Sequence, residues 1–174
     1  LNRHNVGFMV VDTIAENYHF PSFKVKFNAY ISEGKIGPHK VLLCKPLTFM
    51  NRSGHALSPL MNFYKVGLGN LYVVHDDLDL VFARLKIKQG GGSGGHNGLS
   101  SLDQALGKDY WRLRIGIGHP GHASAVSGYV LSNFTKHEQK ELIPILITLS
   151  ELTPDLFGGD PVLWLNQYHQ QLKV

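Results

Sequence analysis

Cysteine is almost absent from this 174-residue chain, with Cys44 its single example. A lone thiol cannot close an internal disulfide, which excludes a disulfide scaffold. Cys44 ends the apolar run Val41-Leu42-Leu43-Cys44, so it reads as a buried structural thiol rather than a nucleophile. Charged residues are scarce as well, 17% against 43% hydrophobic, which excludes an intrinsically disordered chain. No apolar run approaches the roughly 20 residues of a membrane-spanning helix, so no membrane association is expected. Nothing marks the chain for secretion, and the cytoplasm is the expected compartment. The length suits one domain, residues 1–174, with its own core.

What charge there is leans positive, at +4 with a pI near 9.2, and suggests an anionic partner. Apolar spacing predicts a helix over 5–18, through Phe8, Val11, Ile14, Ala15 and Tyr18. Strands are predicted over 23–31 and 41–44, joined by a turn at 32–37. A second helix runs from Asn51 or Ser53 to about Val66, with Pro59 in its first turns. Leu71–Val74 reads as a buried strand, and 84–89 and 112–117 alternate like strands around a short helix at 98–106. Two more helices are expected at 137–151 and 161–172, Pro161 suiting a first helical position. The pattern predicts an α/β fold, a single domain with a twisted, mixed, mostly parallel β-sheet flanked by helices on both faces.

Glycine is concentrated in Lys88-Gln-Gly-Gly-Gly-Ser-Gly-Gly-His-Asn-Gly98, where six of eleven residues are glycine. A Walker loop needs Lys and Ser or Thr after its last glycine, and His96-Asn97 stands there instead. No acidic residue about 20 positions on suits a dinucleotide ribose. A flexible connector is the bland alternative. Against it, His96 and Asn97 directly precede an apolar-periodic helix, where Asn97 serves equally well as an N-cap or a functional group. The glycines would let a bulky ligand approach the backbone.

Cations flank this loop. Alternation places Arg84, Lys86 and Lys88 on one strand face and Arg112 and Arg114 on another. They read either as a phosphate-binding strip or as a solvated sheet face. After the strand at 71–74 comes His75-Asp76-Asp77-Leu78-Asp79, which reads as a turn, a carboxylate partner for a distant histidine, or a metal site. No pair of histidines at metal spacing supports the last, and no metal or cofactor is expected.

Together these stretches resemble the bacterial peptidyl-tRNA hydrolases. Arg3-His4-Asn5-Val6-Gly7, Lys45-Pro-Leu-Thr-Phe-Met-Asn-Arg-Ser-Gly54, His75–Leu80, Gly90–Gly98 and Arg112–Gly121 match family motifs in family order. The resemblance implies hydrolysis of the ester joining a peptide to the 3′-terminal ribose of tRNA, releasing stalled peptidyl-tRNA for reuse. It implies His4 as the general base and Asp76 as the carboxylate that orients it. Asn51 and Asn97 are implied to position substrate, Phe49 and Met50 to pack the 3′ adenosine and peptide, and Lys88 and Arg114 to hold the tRNA 5′-phosphate. A monomer binding the acceptor stem and 3′ end of peptidyl-tRNA is expected. Read without the resemblance, His4 would be an ordinary surface histidine. Family members begin with a strand and an Asn-Pro-Gly-type loop that have no counterpart before Arg3, and the sequence is expected to be incomplete there. A non-catalytic RNA-binding protein on the same scaffold is the alternative. A nucleotide or metal phosphotransferase is disfavoured by the failed Walker and metal patterns.

Overall fold

Two left-handed residues decide how the first sheet forms. Lys24–Lys26 (β1) pairs antiparallel with Ala29–Ile36 (β2), Lys26 opposite Ala29. The connecting Phe27 and Asn28 have φ of 52° and 54°, as a two-residue turn matching the twist of a hairpin requires. The Phe27 ring is anchored against Phe63, with centroids 5.3 Å apart. The single strand expected over 23–31 is therefore broken at Phe27–Asn28, and of the turn expected at 32–37 only Gly37 turns, the rest being strand. β2 runs on to Ile36, which faces His39 of His39–Pro46 (β3). Ser32 and Glu33 look like turn residues in sequence, yet Ser32 is buried and its hydroxyl donates to the Pro21 carbonyl at 2.5 Å. Burial overrode a turn-like composition.

The computed structural model describes residues 2–172; Leu1, Lys173 and Val174 lie outside the described residues. Its second sheet has the order β4 (Tyr72–Asp77), β6 (Trp111–Gly116), β5 (Leu85–Gln89). Trp111 N donates to Leu71 O and Ile117 N to Asp77 O, so β4 and β6 run parallel. Gly90 N donates to Tyr110 O and Gly116 N to Arg84 O, so β5 and β6 run antiparallel. The α/β class and mixed pairing stand as expected. "Mostly parallel" does not describe these strands, because the tight turns linking β1, β2 and β3 permit only antiparallel neighbours.

The helices are Val6–Asn17 (α1), Ser53–Tyr64 (α2), Asn97–Leu106 (α3), Val126–Leu131 (α4), Lys136–Glu151 (α5), Thr153–Leu156 (α6) and Pro161–Gln171 (α7). α4 and α6 are too short for a periodic signal and went unpredicted. α2 takes the later of its two expected starts, Ser53, after the separate 3-10 turn Met50–Arg52, and Pro59 lies inside the helix.

Packing divides the chain into two compact units. One comprises the chain through Tyr18, Val74–Ile87 and the chain from Leu113 on. Its core holds Val6, Val10 and Ile14 of α1 with Leu142, Ile145 and Leu149 of α5, all under 9% exposed. Tyr18 Oη donates to Ser150 O at 2.9 Å, tying the ends of these two helices. The other unit comprises His19–Val73 and Lys88–Arg112. There Ala29 and Ile31 of β2 pack with Leu57, Leu60 and Met61 of α2, Leu99 and Leu102 of α3, and Tyr110. Each fully buried large aliphatic side chain contributes about 1.5–3 kcal/mol.

Candidate active site

His4 sits in a 3-10 turn, Arg3–Asn5, that leads directly into α1. The Asn2 side chain accepts from Asn5 N at 3.1 Å and closes this turn. Gly7 then brings α1 onto β4: a Cβ at this position would lie 2.2 Å from Val74 O. No other residue allows that approach. Asp76 follows Val74 by two positions, and its Oδ1 lies 2.8 Å from His4 Nδ1. The pair is enclosed, with side-chain exposures of 14% for His4 and 3% for Asp76. A carboxylate on Nδ1 selects the tautomer whose Nε2 is the basic nitrogen and stabilises the imidazolium formed when that nitrogen takes a proton. Of the readings open for the acidic cluster, the 2.8 Å contact supports the carboxylate–histidine partnership. The neighbouring His75 is buried, its Nδ1 2.8 Å from Asp76 O.

The same turn is anchored by Arg3, 5% exposed. Its Nη2 donates to both carboxylate oxygens of Glu138 at 2.8 Å, and its Nη1 to Ser132 Oγ at 2.8 Å and Asn133 O at 2.5 Å. The guanidinium lies 4.5 Å from the centre of the Tyr129 ring. Glu138 also closes a capping box with Thr135 at the start of α5. Its carboxyl is pulled up by burial, but hydrogen bonds from the Thr135 backbone and hydroxyl, together with Arg3, hold it below its ordinary value.

In the other unit, Phe49 precedes the turn Met50–Arg52 and is 83% exposed, an unusual state for a large aromatic side chain. Met50 is half-buried against the first turn of α3, where a Cβ on Gly98 would meet Met50 Sδ at 2.7 Å. Gly98 thus makes room for Met50, a packing role beside the ligand approach expected of the loop's glycines. The loop is also no slack linker. Gly90, Gly91, Gly94 and Gly95 all have positive φ, from 57° to 103°, which non-glycine residues adopt only with strain. The N-cap of α3 is His96, whose Nδ1 accepts from Gly98 N at 3.1 Å and Leu99 N at 3.3 Å. Asn97 is the first helical residue. The capping reading of Asn97 is thereby corrected: its side chain, like that of Asn51, is exposed and makes no hydrogen bond among the described residues.

The two arginines of β6 differ sharply. Arg112 has a side chain 3% exposed; its Nη1 donates to Gly92 O at 2.9 Å and its Nη2 to Asp103 Oδ1 at 2.8 Å. It lies over the Tyr110 ring, whose hydroxyl donates to the same Asp103 oxygen. Arg112 is therefore a buried brace and leaves the expected cationic strip. Arg114, with a side chain 28% exposed, donates among the described residues only through Nε, to Asp77 Oδ2 at 2.7 Å. Lys88 is exposed beside the glycine loop, its Nζ 3.3 Å from where a Gly91 Cβ would stand.

A family model described as Peptidyl-tRNA hydrolase matches residues 1–173. The chain belongs to the peptidyl-tRNA hydrolase family. A relative named peptidyl-tRNA hydrolase from Novosphingobium aromaticivorans is 52% identical over 95% of this chain and 87% of its own length. One of the same name from Ehrlichia ruminantium is 54% identical over 99% and 89%. The crystal structure of peptidyl-tRNA hydrolase from Acinetobacter baumannii matches with a TM-score of 0.91 and 36% identity, over 96% of this chain and 86% of that one.

The pairing of His4 with Asp76, which the peptidyl-tRNA hydrolase resemblance implied across 72 residues, is present as a 2.8 Å contact. Sequence reasoning passed over three residues that hold the site's residues in place, Arg3, Asp77 and His96, and over Asp103, which holds the brace Arg112. Asp77 and Arg3 lay inside quoted motifs, so the signal available was a charge placed where a buried strand or turn was expected. For Asp103, seven residues before Tyr110 on an amphipathic helix, no local signal existed.

Proposed function

We propose that this chain hydrolyses peptidyl-tRNA by His4-assisted attack of water. The observation that carries the reading is the enclosed His4–Asp76 pair at 2.8 Å in a chain of this family. His4 Nε2 takes a proton from water as its oxygen adds to the ester carbonyl. The resulting oxyanion draws on amide N–H donors, Asn51 and Asn97. Collapse breaks the acyl–oxygen bond, and the imidazolium returns its proton to the departing 3′-oxygen of the tRNA. Water in, peptide and tRNA out: the atoms balance without a further reactant. Asp76 stabilises the imidazolium in between.

General-base assistance supplies about 10²–10⁴-fold and each oxyanion donor about 10²–10³-fold, enough for an ester. Phe49, with most of its ring in solvent, offers a stacking surface for an unpaired base such as the 3′-terminal adenine. Met50 packs the peptide. Lys88 and Arg114 contribute cations for the 5′-phosphate of the acceptor stem. We place this activity in the cytoplasm, carried by a monomer. Incubation with N-acyl-aminoacyl-tRNA and measurement of free tRNA tests the reading. The intact protein turns over, while His4→Ala falls by about 10²-fold or more and Asp76→Asn follows it. His4→Ala working as well as its parent would remove His4 from the mechanism. Tight tRNA binding without turnover by the intact protein would make it an RNA-binding relative instead.

A further inference from the structure

We infer that Asp77 is a positioning residue for Arg114, holding its guanidinium so that the two terminal nitrogens face a phosphate monoester of the substrate. The inference rests on Arg114 as a phosphate ligand, as proposed above. Asp77 is the last residue of β4, and its backbone is held by Ile117 N donating to Asp77 O at 3.1 Å. Both of its carboxylate oxygens are engaged: Oδ1 accepts from Asp79 N at 2.9 Å, Oδ2 from Arg114 Nε at 2.7 Å. The carboxylate is thus fixed from two sides, with a side chain 11% exposed.

Of the five N–H donors of Arg114, Asp77 takes the one on Nε. The four on Nη1 and Nη2 make no hydrogen bond among the described residues, and neither nitrogen is a buried, unpartnered atom. Arg112 shows the opposite use, with both terminal nitrogens engaged and only Nε left over. A guanidinium held by Nε presents its fork outward, and that planar fork matches two unesterified phosphate oxygens. The carboxylate has a second effect of opposite sign, because its charge repels an approaching phosphate. We assign the larger weight to orientation, since an untethered arginine loses its rotamer freedom only on binding. The consequence is selection by geometry: a terminal monoester, with its extra unesterified oxygen, over a hydroxyl end.

The test compares N-acyl-aminoacyl-tRNA carrying a 5′-phosphate with the same substrate dephosphorylated. The readout is the ratio of kcat/KM for the two substrates within each variant, so a general loss of folding or activity cancels. The intact protein prefers the phosphate by about tenfold, the worth of a charge-assisted contact. Arg114→Ala brings the preference to within about twofold of one, the remainder being what Lys88 supplies. Asp77→Ala brings the ratio to within about twofold of one, mainly through KM, while Asp77→Asn, which still accepts from Nε, keeps most of it. A preference in Asp77→Ala equal to or above that of the intact protein would make Asp77 a mere counter-charge and overturn the inference alone. A preference undiminished in Arg114→Ala would overturn the reading of Arg114 and the inference with it.

Discussion

Arg112 and Arg114 stand two residues apart on one strand, and alternation assigns them the same face. Their partners separate them. Truncating Arg112 strands the Asp103 carboxylate in a pocket where its other partner is the Tyr110 hydroxyl. Arg112→Ala is expected to cost about 3 kcal/mol in a denaturant titration, the penalty of a buried charge left unpaired. Arg114→Ala is expected to cost about 1 kcal/mol or less, since Arg114 is partly solvated. Equal losses in the two titrations would contradict the assignment of separate roles. Cys44 answers to its surroundings as well: burial pushes its thiol up to about 12, consistent with the inert structural cysteine expected from its apolar run.

Elements begin and end where side chains satisfy backbone groups, and local sequence reports this unevenly. The start of α5 is legible, because Thr135 and Glu138 form the reciprocal box that their spacing encodes. The start of α3 is not, since an imidazole takes the capping place that asparagine usually fills. The Phe27–Asn28 hairpin is hidden for the same kind of reason, lacking glycine at either left-handed position. Glu138 links this scale to pH. Its carboxyl is lowered in the folded chain from an ordinary 4.5, so its contribution is full above that value and lost as pH falls through the lower folded one. Intact protein should therefore melt above Glu138→Gln at neutral pH, with the gap closing progressively below about pH 4.5. A gap that stays constant down to the acid transition would show that the ionised carboxyl does not carry it.

For the whole molecule, a net charge of +4 sets a weak attraction to any polyanion, and specific cations must supply the rest. Affinity for tRNA should fall steeply with salt. The double substitution Lys88→Ala/Arg114→Ala should make the slope of log affinity against log salt shallower by about one, as loss of roughly one phosphate contact requires. Parallel lines for the two proteins across a salt series would exclude both residues from phosphate binding. The fold class, read from strands alternating with helices, needed only that alternation. The pairing directions needed the connections: two-residue turns force β1–β3 antiparallel, the one at Phe27–Asn28 inside an expected strand and the other at the very end of the turn expected over 32–37.

The sequence alone determined the family, because its motifs are contiguous stretches that need no folding to be read. It also determined the longer helices, α1, α2, α3, α5 and α7, whose apolar spacing repeats over several turns. Tertiary structure decided which carboxylate meets which cation: Asp77 with Arg114, Asp103 with Arg112, Glu138 with Arg3. A hydrogen bond selects its partner by position to within a fraction of an ångström. Residues far apart in the chain acquire such positions only when α1 lies on β4 through Gly7, or when strands pair.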